Sequence, residues 1–271
     1  MTEHLLSPES IDAIDEYWAT SFGCPREALR PSRTLVLPHG PGERFNGLYA
    51  MTFGGSPIVS VPQGTFVTLR SSLSSWTTDT MRDPAGATDS VGALAGTPIG
   101  PTWVGYADEA TLRSPPLEAR ARLLSHEDAA AVDALRESCT PLEWEHGGSA
   151  LGHDITTGSF ANGTLAALAG YETWGGRIAH IAVIAHPAHR AQGHARTAVA
   201  LVARLALGRG LVLQYRTLEA NTPSRRIADS LGFVHYATSL AIRFLLGVGV
   251  RTADFRLPVS HQATVFSMSD Q

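Results

Sequence analysis

The 271-residue chain carries 21 basic residues, every one an arginine, against 25 acidic ones, and 44% of it is apolar. That apolar share is enough for one large or two modest folded cores, and a formal charge of −4 with no basic block argues against a nucleic-acid partner. No apolar run is long enough to span a bilayer, and the region around Met1–Pro8, with Glu3 and Glu9, lacks the basic-then-apolar layout of a secretory leader, so a cytoplasmic protein is expected. Cys24 and Cys139 stand too far apart for a disulfide framework or a paired zinc motif; both are expected to be small buried hydrophobes, and no metal is expected.

In the first third, Ser7-Pro8 opens a helix over Glu9 to Thr20 with Ile11, Ile14 and Trp18 on one face. Strands follow at Thr34 to Leu37, Leu48 to Phe53 and Ile58 to Val61, separated by the turn signals Asn46-Gly47 and Gly54-Gly55. Phe66, Leu69 and Leu73 repeat at helical spacing, and Thr102 to Tyr106 reads as a further strand. Glycine and proline thicken from Asp83 to Pro116, which predicts no long element there and a boundary near Pro115-Pro116. The expected organisation is an α/β unit over 1–115, a second over 116–245 and a tail over 246–271.

Past the boundary the pattern sharpens. Ala121 to Leu124 is a strand, and Ser125 with Asp128 forms a capping-box start to a helix ending at Cys139. Asp154 to Phe160, Leu165 to Thr173 and Arg177 to Ala185 make an antiparallel meander turned at Asn162-Gly163 and Gly175-Gly176. A helix over Gly193 to Leu207, a strand over Leu211 to Thr217, a helix over Thr222 to Leu231 and a strand over Val234 to Phe244 complete a mixed α/β order.

The chemistry concentrates in the loop from His186 to Arg196. A glycine and a small alanine at the start of a helix leave successive backbone N–H groups open, and the helix dipole adds partial positive charge, a combination suited to a pyrophosphate. Gly193 admits the phosphate without a Cβ in the way, Ala195 keeps the first turn small, and the Arg190 guanidinium can reinforce the site.

This loop resembles the Arg/Gln-x-x-Gly-x-Gly/Ala signature of the GNAT acyltransferases, matched by Arg190, Gly193 and Ala195 with Pro187 three residues ahead. The resemblance extends through Asn221, Ser224 and Leu231-Gly232-Phe233, similar to the family's Asn-x-x-Ala helix ending in Leu-Gly-Phe, and covers roughly 121–244. It implies a GNAT-like C-terminal domain with a splayed central sheet, preceded by a smaller α/β unit that is either a degenerate copy of the same fold, a dimerisation surface or part of the acceptor pocket. It also implies acetyl-CoA as co-substrate. Its phosphates would meet Arg190, Ala191, Gln192, Gly193, His194, Ala195 and Arg196, and its pantetheine arm would run beside Val183, Ile184 and Ala185 with Asn221 opposite.

Proton handling is left open by the residues. Many family members place a tyrosine acid seven residues after the asparagine, and here that position is Ala228. Ser224, Tyr215, Tyr236 or water could replace it. Glu172, beside Tyr171 and Trp174 where an aromatic wall could raise its pKa, and His180, on the next strand, are candidate bases. Strand parity puts His180 on the face of Ala182 and Ile184, opposite Val183. Glu143, Trp144, Glu145 and His146 form an acidic, aromatic stretch able to hold a cationic amine, with Glu145 or His146 as further candidate bases. The expected function is acetyl transfer from acetyl-CoA to a small-molecule amine in a ternary complex. A non-catalytic acyl-CoA-binding module and a protein N-terminal acetyltransferase are the alternatives.

Overall fold

The computed structural model describes residues 5–40, 44–113, 121–147 and 155–245, except for the side chain of His146. The boundary expected at Pro115-Pro116 and the tail over 246–271 lie outside the described residues. In chain order the first elements are α1 (Pro8–Phe22), β1 (Leu35–Pro38), β2 (Gly47–Thr52), β3 (Ile58–Val61), α2 (Gln63–Leu73), α3 (Thr78–Arg82), α4 (Pro84–Val91) and β4 (Ala95–Ala107). Then come β5 (Ala121–Leu123), α5 (Ala129–Ser138), α6 (Pro141–Gly147), β6 (Ile155–Ala161), β7 (Thr164–Trp174), β8 (Ile178–Ala185), α7 (His194–Leu207), β9 (Val212–Leu218), α8 (Thr222–Ser230) and β10 (Val234–Phe244). Mixed α/β is the fold class. Among the described residues no helix is long and apolar enough to cross a membrane.

The chain divides into two units. One runs over Asp12–Val104 and resumes at His235; the other joins the residues up to Ile11 to Gly105–Val234.

In the first of these the strand order is β1-β3-β2-β10-β4. Its core is built where alternating apolar residues of β2, β3 and β10 meet α2 and α4, around Leu48, Val59, Leu73, Trp76 and Ile242. Trp18 stacks on Tyr49 at 6.4 Å and meets Phe53 edge-on at 6.1 Å, which fixes the later turns of α1. Two expectations need correction here. The Gly- and Pro-rich stretch expected to hold no long element contains a thirteen-residue strand, β4. Strand β10, grouped by the sequence reading with residues 116–245, pairs antiparallel with β2 from Arg243↔Gly47 to Thr238↔Thr52. Its run from Ala237 to Ile242 is buried throughout, the pattern of an inner strand rather than an edge.

The second unit is the meander and its crossover. Strands β5, β6, β7 and β8 pair antiparallel in sequence, and β9 then joins β8 in parallel. The hairpin between β6 and β7 turns on Asn162 (φ 48°) and Gly163 (φ 83°), the two positive φ values a two-residue turn of this twist requires. Helix α5 packs on one face of the sheet through Val132 and Leu135 against Leu168, Ala182 and Ile184. Helix α7 covers the other, where Thr157 Oγ1 donates to the Ala198 carbonyl at 2.9 Å and Ser159 shares a 2.9 Å hydrogen bond with His194 Nδ1. The expected Ser125/Asp128 capping box forms, but it opens a short 3-10 turn ahead of α5 rather than α5 itself. Both cysteines are free and only half-buried, because each sits just past a helix end rather than on an inward face.

Candidate active site

The parallel ladder between β8 and β9 is short. It runs from Ile178↔Val212 to Ile181↔Tyr215, after which β8 continues to Ala185 and β9 to Leu218 without further pairing to one another. The strands therefore part at Ile181 and Tyr215. Which backbone groups face the gap follows from the antiparallel side. The His186 N–H donates to the Ala166 carbonyl at 2.9 Å, so Ile184, Ala182 and His180 are the residues whose backbone groups bond to β7. The N–H and C=O of Val183 and Ala185 must then point to the opposite edge, into the opening. Both residues are half-buried.

The edge leads straight into the glycine loop. Ala191 (φ 59°) and Gly193 (φ 84°) both adopt left-handed backbone, and Gly193 is the N-cap residue of α7 with no side chain capping the helix. A left-handed conformation costs a Cβ-bearing residue roughly 1–2 kcal/mol, so glycine at 193 serves conformation as well as space. The first turn of such a helix has no intrahelical acceptor for its N–H groups, and the dipole favours an anion there. The His194 side chain points inward to Ser159, while Gln192 and Arg196 are exposed; Gln192 Nε2 donates to the Ala188 carbonyl at 3.2 Å.

Arg190 turns toward α6: its Nη2 donates to Glu143 Oε1 at 2.6 Å and its Nε to the Ala185 carbonyl at 3.4 Å. Residues named from the sequence for cofactor and acceptor are thus joined across 47 positions. Ile184 turns its side chain into the core under α5 and its backbone to β7. The 143–147 stretch is helical. Within it Trp144 packs on the α5 cluster with Arg136 over its ring at 5.7 Å, Glu145 is exposed, and the side chain of His146 lies outside the described residues.

His180 keeps the expected parity, because the β7–β8 register is unbroken through it. It is buried, stacks on Trp174 at 3.9 Å and hydrogen-bonds Gln214 Oε1 through Nδ1 at 2.9 Å. Burial, helped by the charge of Arg216, pushes its pKa down to about 3 against the Gln214 hydrogen bond. An imidazole in that state is a weak proton acceptor at neutral pH. Glu172, its cross-strand neighbour, is half-buried and accepts from Trp174 Nε1 at 3.2 Å.

On α8, Asn221 Oδ1 caps the helix by accepting from the Ser224 N–H at 3.2 Å, and the Ser224 hydroxyl lies 2.9 Å from Tyr215 Oη. Ala228 is fully buried. Tyr236 belongs to the other unit, where its hydroxyl donates to Asp15 at 2.6 Å and accepts from Arg30 at 2.8 Å. Those bonds commit it elsewhere. The sequence reading missed Gln214, which links His180 to the Tyr106 hydroxyl, and the buried Arg216 beside it. The signal was present: Gln214 and Arg216 are polar residues of one parity inside an otherwise apolar strand. Among the described residues, no three His, Cys, Asp or Glu side chains converge as metal ligands.

A parallel pair that parts beside an uncapped, glycine-started helix is the geometry the sequence resemblance implies, and the model of the acetyltransferase (GNAT) family matches residues 122–233. This segment is a GNAT domain. Among solved structures, the chain is similar to a GNAT-family acetyltransferase from Colwellia psychrerythraea, at 12% identity over 89% of this chain and 98% of that one with a TM-score of 0.48. It is also similar to a GCN5-related N-acetyltransferase from Kribbella flavida, at 15% identity over 90% and 98% with a TM-score of 0.47. A GNAT-family protein from Novosphingobium aromaticivorans is 22% identical over 55% of this chain, which spans 65% of that protein's length, with a TM-score of 0.44. No curated protein matches the chain.

Proposed function

We propose that the protein is an N-acetyltransferase that moves acetyl from acetyl-CoA to a primary amine by direct attack in a ternary complex. The observation that carries this reading is the parting of β8 and β9 after Ile181↔Tyr215, which leaves the Val183 and Ala185 backbone on an edge that β9 does not pair, leading to Gly193. A pantetheine arm carries amide groups that pair with such an edge as an added strand would. The pyrophosphate then meets the N–H groups of residues 191 to 196, and Asn221 faces the arm from α8.

In the reaction we assign, the neutral amine nitrogen attacks the thioester carbon, a C–N bond forms, and the carbonyl oxygen takes up negative charge beside an N–H of the β8 edge. One such donor is typically worth about 100- to 1,000-fold in rate. The C–S bond then breaks. Glu172 takes the proton that the ammonium loses before attack. The proton the nitrogen still carries after attack passes to the thiolate through the Ser224 hydroxyl, which receives one as it gives its own, while Tyr215 holds the serine in place. The acceptor is a small cation, a metabolite or antibiotic amine, because Glu143 and Glu145 bring two carboxylates to the helix next to the groove.

The buried Ala228, where many relatives keep a tyrosine, favours a second reading in which the domain binds acyl-CoA without catalysis. Mixing the protein with acetyl-CoA and a panel of amines, and following free thiol, separates the two. Amine-dependent thiol release supports transfer, and CoA binding without it across the panel supports the binding module.

A further inference from the structure

Helix α6 approaches the cofactor groove at two places. On the loop, Arg190 is held by Glu143 at 2.6 Å. On the strand edge, a Cβ added to Gly147 would lie 2.7 Å from the Val183 carbonyl oxygen, so the end of α6 comes down on the open edge of β8 as only a glycine permits. Glu143 is well set for its part. Its Oε2 accepts from the Thr140 N–H at 2.9 Å and the Thr140 hydroxyl at 3.0 Å. Burial works against its charge, yet the Thr140 and Arg190 hydrogen bonds outweigh burial and hold its carboxyl below the ordinary value. The carboxylate is therefore ionised while it holds Arg190.

A guanidinium offered both a carboxylate and a pyrophosphate has reason to change partners, since the pyrophosphate carries two negative charges against the carboxylate's one and its oxygens can accept a forked N–H pair. The Arg190 side chain is 47% exposed, whereas Glu143, at 17%, is fixed by Thr140. We propose that the Arg190–Glu143 pair is a placeholder that coenzyme A displaces: the pyrophosphate takes Arg190, and the freed Glu143 carboxylate becomes the anchor for the acceptor's ammonium. The amine site is therefore completed by the cofactor. This rests on the acetyl-CoA reading above.

The test is calorimetric titration of CoA, at low salt, into the wild type, Glu143→Gln, Arg190→Ala and the double variant. Glutamine retains an acceptor for Thr140, so α6 keeps its first turn, and circular dichroism checks each fold. Because Arg190 in Glu143→Gln has no ionic partner to leave, that variant is expected to bind CoA roughly two- to fivefold tighter than wild type, the range set by a partly exposed ion pair. Arg190→Ala is expected to bind more weakly, and adding Glu143→Gln to it to bring no gain. Equal or weaker CoA binding by Glu143→Gln, or the same gain in the Arg190→Ala background, overturns the exchange. Absence of CoA binding by the wild type overturns the acetyl-CoA reading itself, a separate result.

Discussion

The Tyr215 and Ser224 hydroxyls lie 2.9 Å apart, Tyr215 on the last rung before β8 and β9 part and Ser224 on α8. Burial pushes the Tyr215 pKa up to about 12 against the Ser224 hydrogen bond, so the phenol keeps its proton and holds the serine in place. Ser224→Ala is expected to lower kcat by about 10- to 100-fold, the weak end of general-acid effects because a thiolate leaves readily, with the amine KM little changed. Ala228→Tyr is not expected to restore it. Position 228 is fully buried, and overpacking of this kind costs typically about 1–3 kcal/mol. Steady-state kinetics and thermal melts of the two variants check both statements.

For the base, Glu172→Gln is expected to lose roughly 100- to 10,000-fold in kcat/KM. The wild-type profile should rise to a plateau once the amine's own titration is allowed for. The exposed Glu145 gives the contrast: Glu145→Gln should raise the amine KM and leave kcat near native. Near-native kcat/KM in Glu172→Gln sinks this assignment.

His180 makes a prediction about stability rather than rate. Its folded pKa, about 3, lies far below the ordinary histidine value of about 6.5. Between those pH values the unfolded chain binds a proton that the folded one does not, so stability falls as pH drops through that window and is unaffected by this group above it. His180→Gln should flatten that acid limb in urea melts taken from pH 7 to pH 4. An unchanged limb would mean that the imidazole is not held neutral.

At the 3-10 turn ahead of α5, the Ser125 hydroxyl accepts from the Glu127 N–H at 3.3 Å, while Asp128 accepts from the Ser125 N–H at 2.9 Å. Ser125→Ala is expected to cost about 1 kcal/mol, read as a lower urea midpoint with an unchanged slope.

The sequence made the GNAT segment readable because its signals are local. Asn162-Gly163 requires a tight turn, Ser125 and Asp128 mark a helix start, and Gly193 stands where only a left-handed residue fits. What stayed hidden depends on distance or on conflicting local signals. The Glu143–Arg190 pair joins residues 47 positions apart, and nothing near either one announces the other. Strand β4 contains Gly96, Pro98, Gly100 and Pro101, each read locally as a break, yet pairing in a sheet carries the chain through them. Strand β10 is legible as a strand from Val234 to Phe244, but its pairing with β2, away from residues 116–245, is not, since periodicity gives an element's faces but not its partners. The polar core of His180 and Gln214 was half visible: parity gave the face of His180, but not the Trp174 ring stacked on it.

The central claim is that the opening between β8 and β9, with the Gly193 turn at its end, is a coenzyme A site. Gly193→Val tests it most directly, because a branched side chain both disfavours φ 84° and fills the path of the phosphate. Calorimetric titration of CoA into wild type and into the variant, with circular dichroism to confirm that both are folded, should show binding to the wild type and at least about tenfold weaker binding to the variant, a loss of about 1.4 kcal/mol. Equal affinity in a folded Gly193→Val protein would contradict the account.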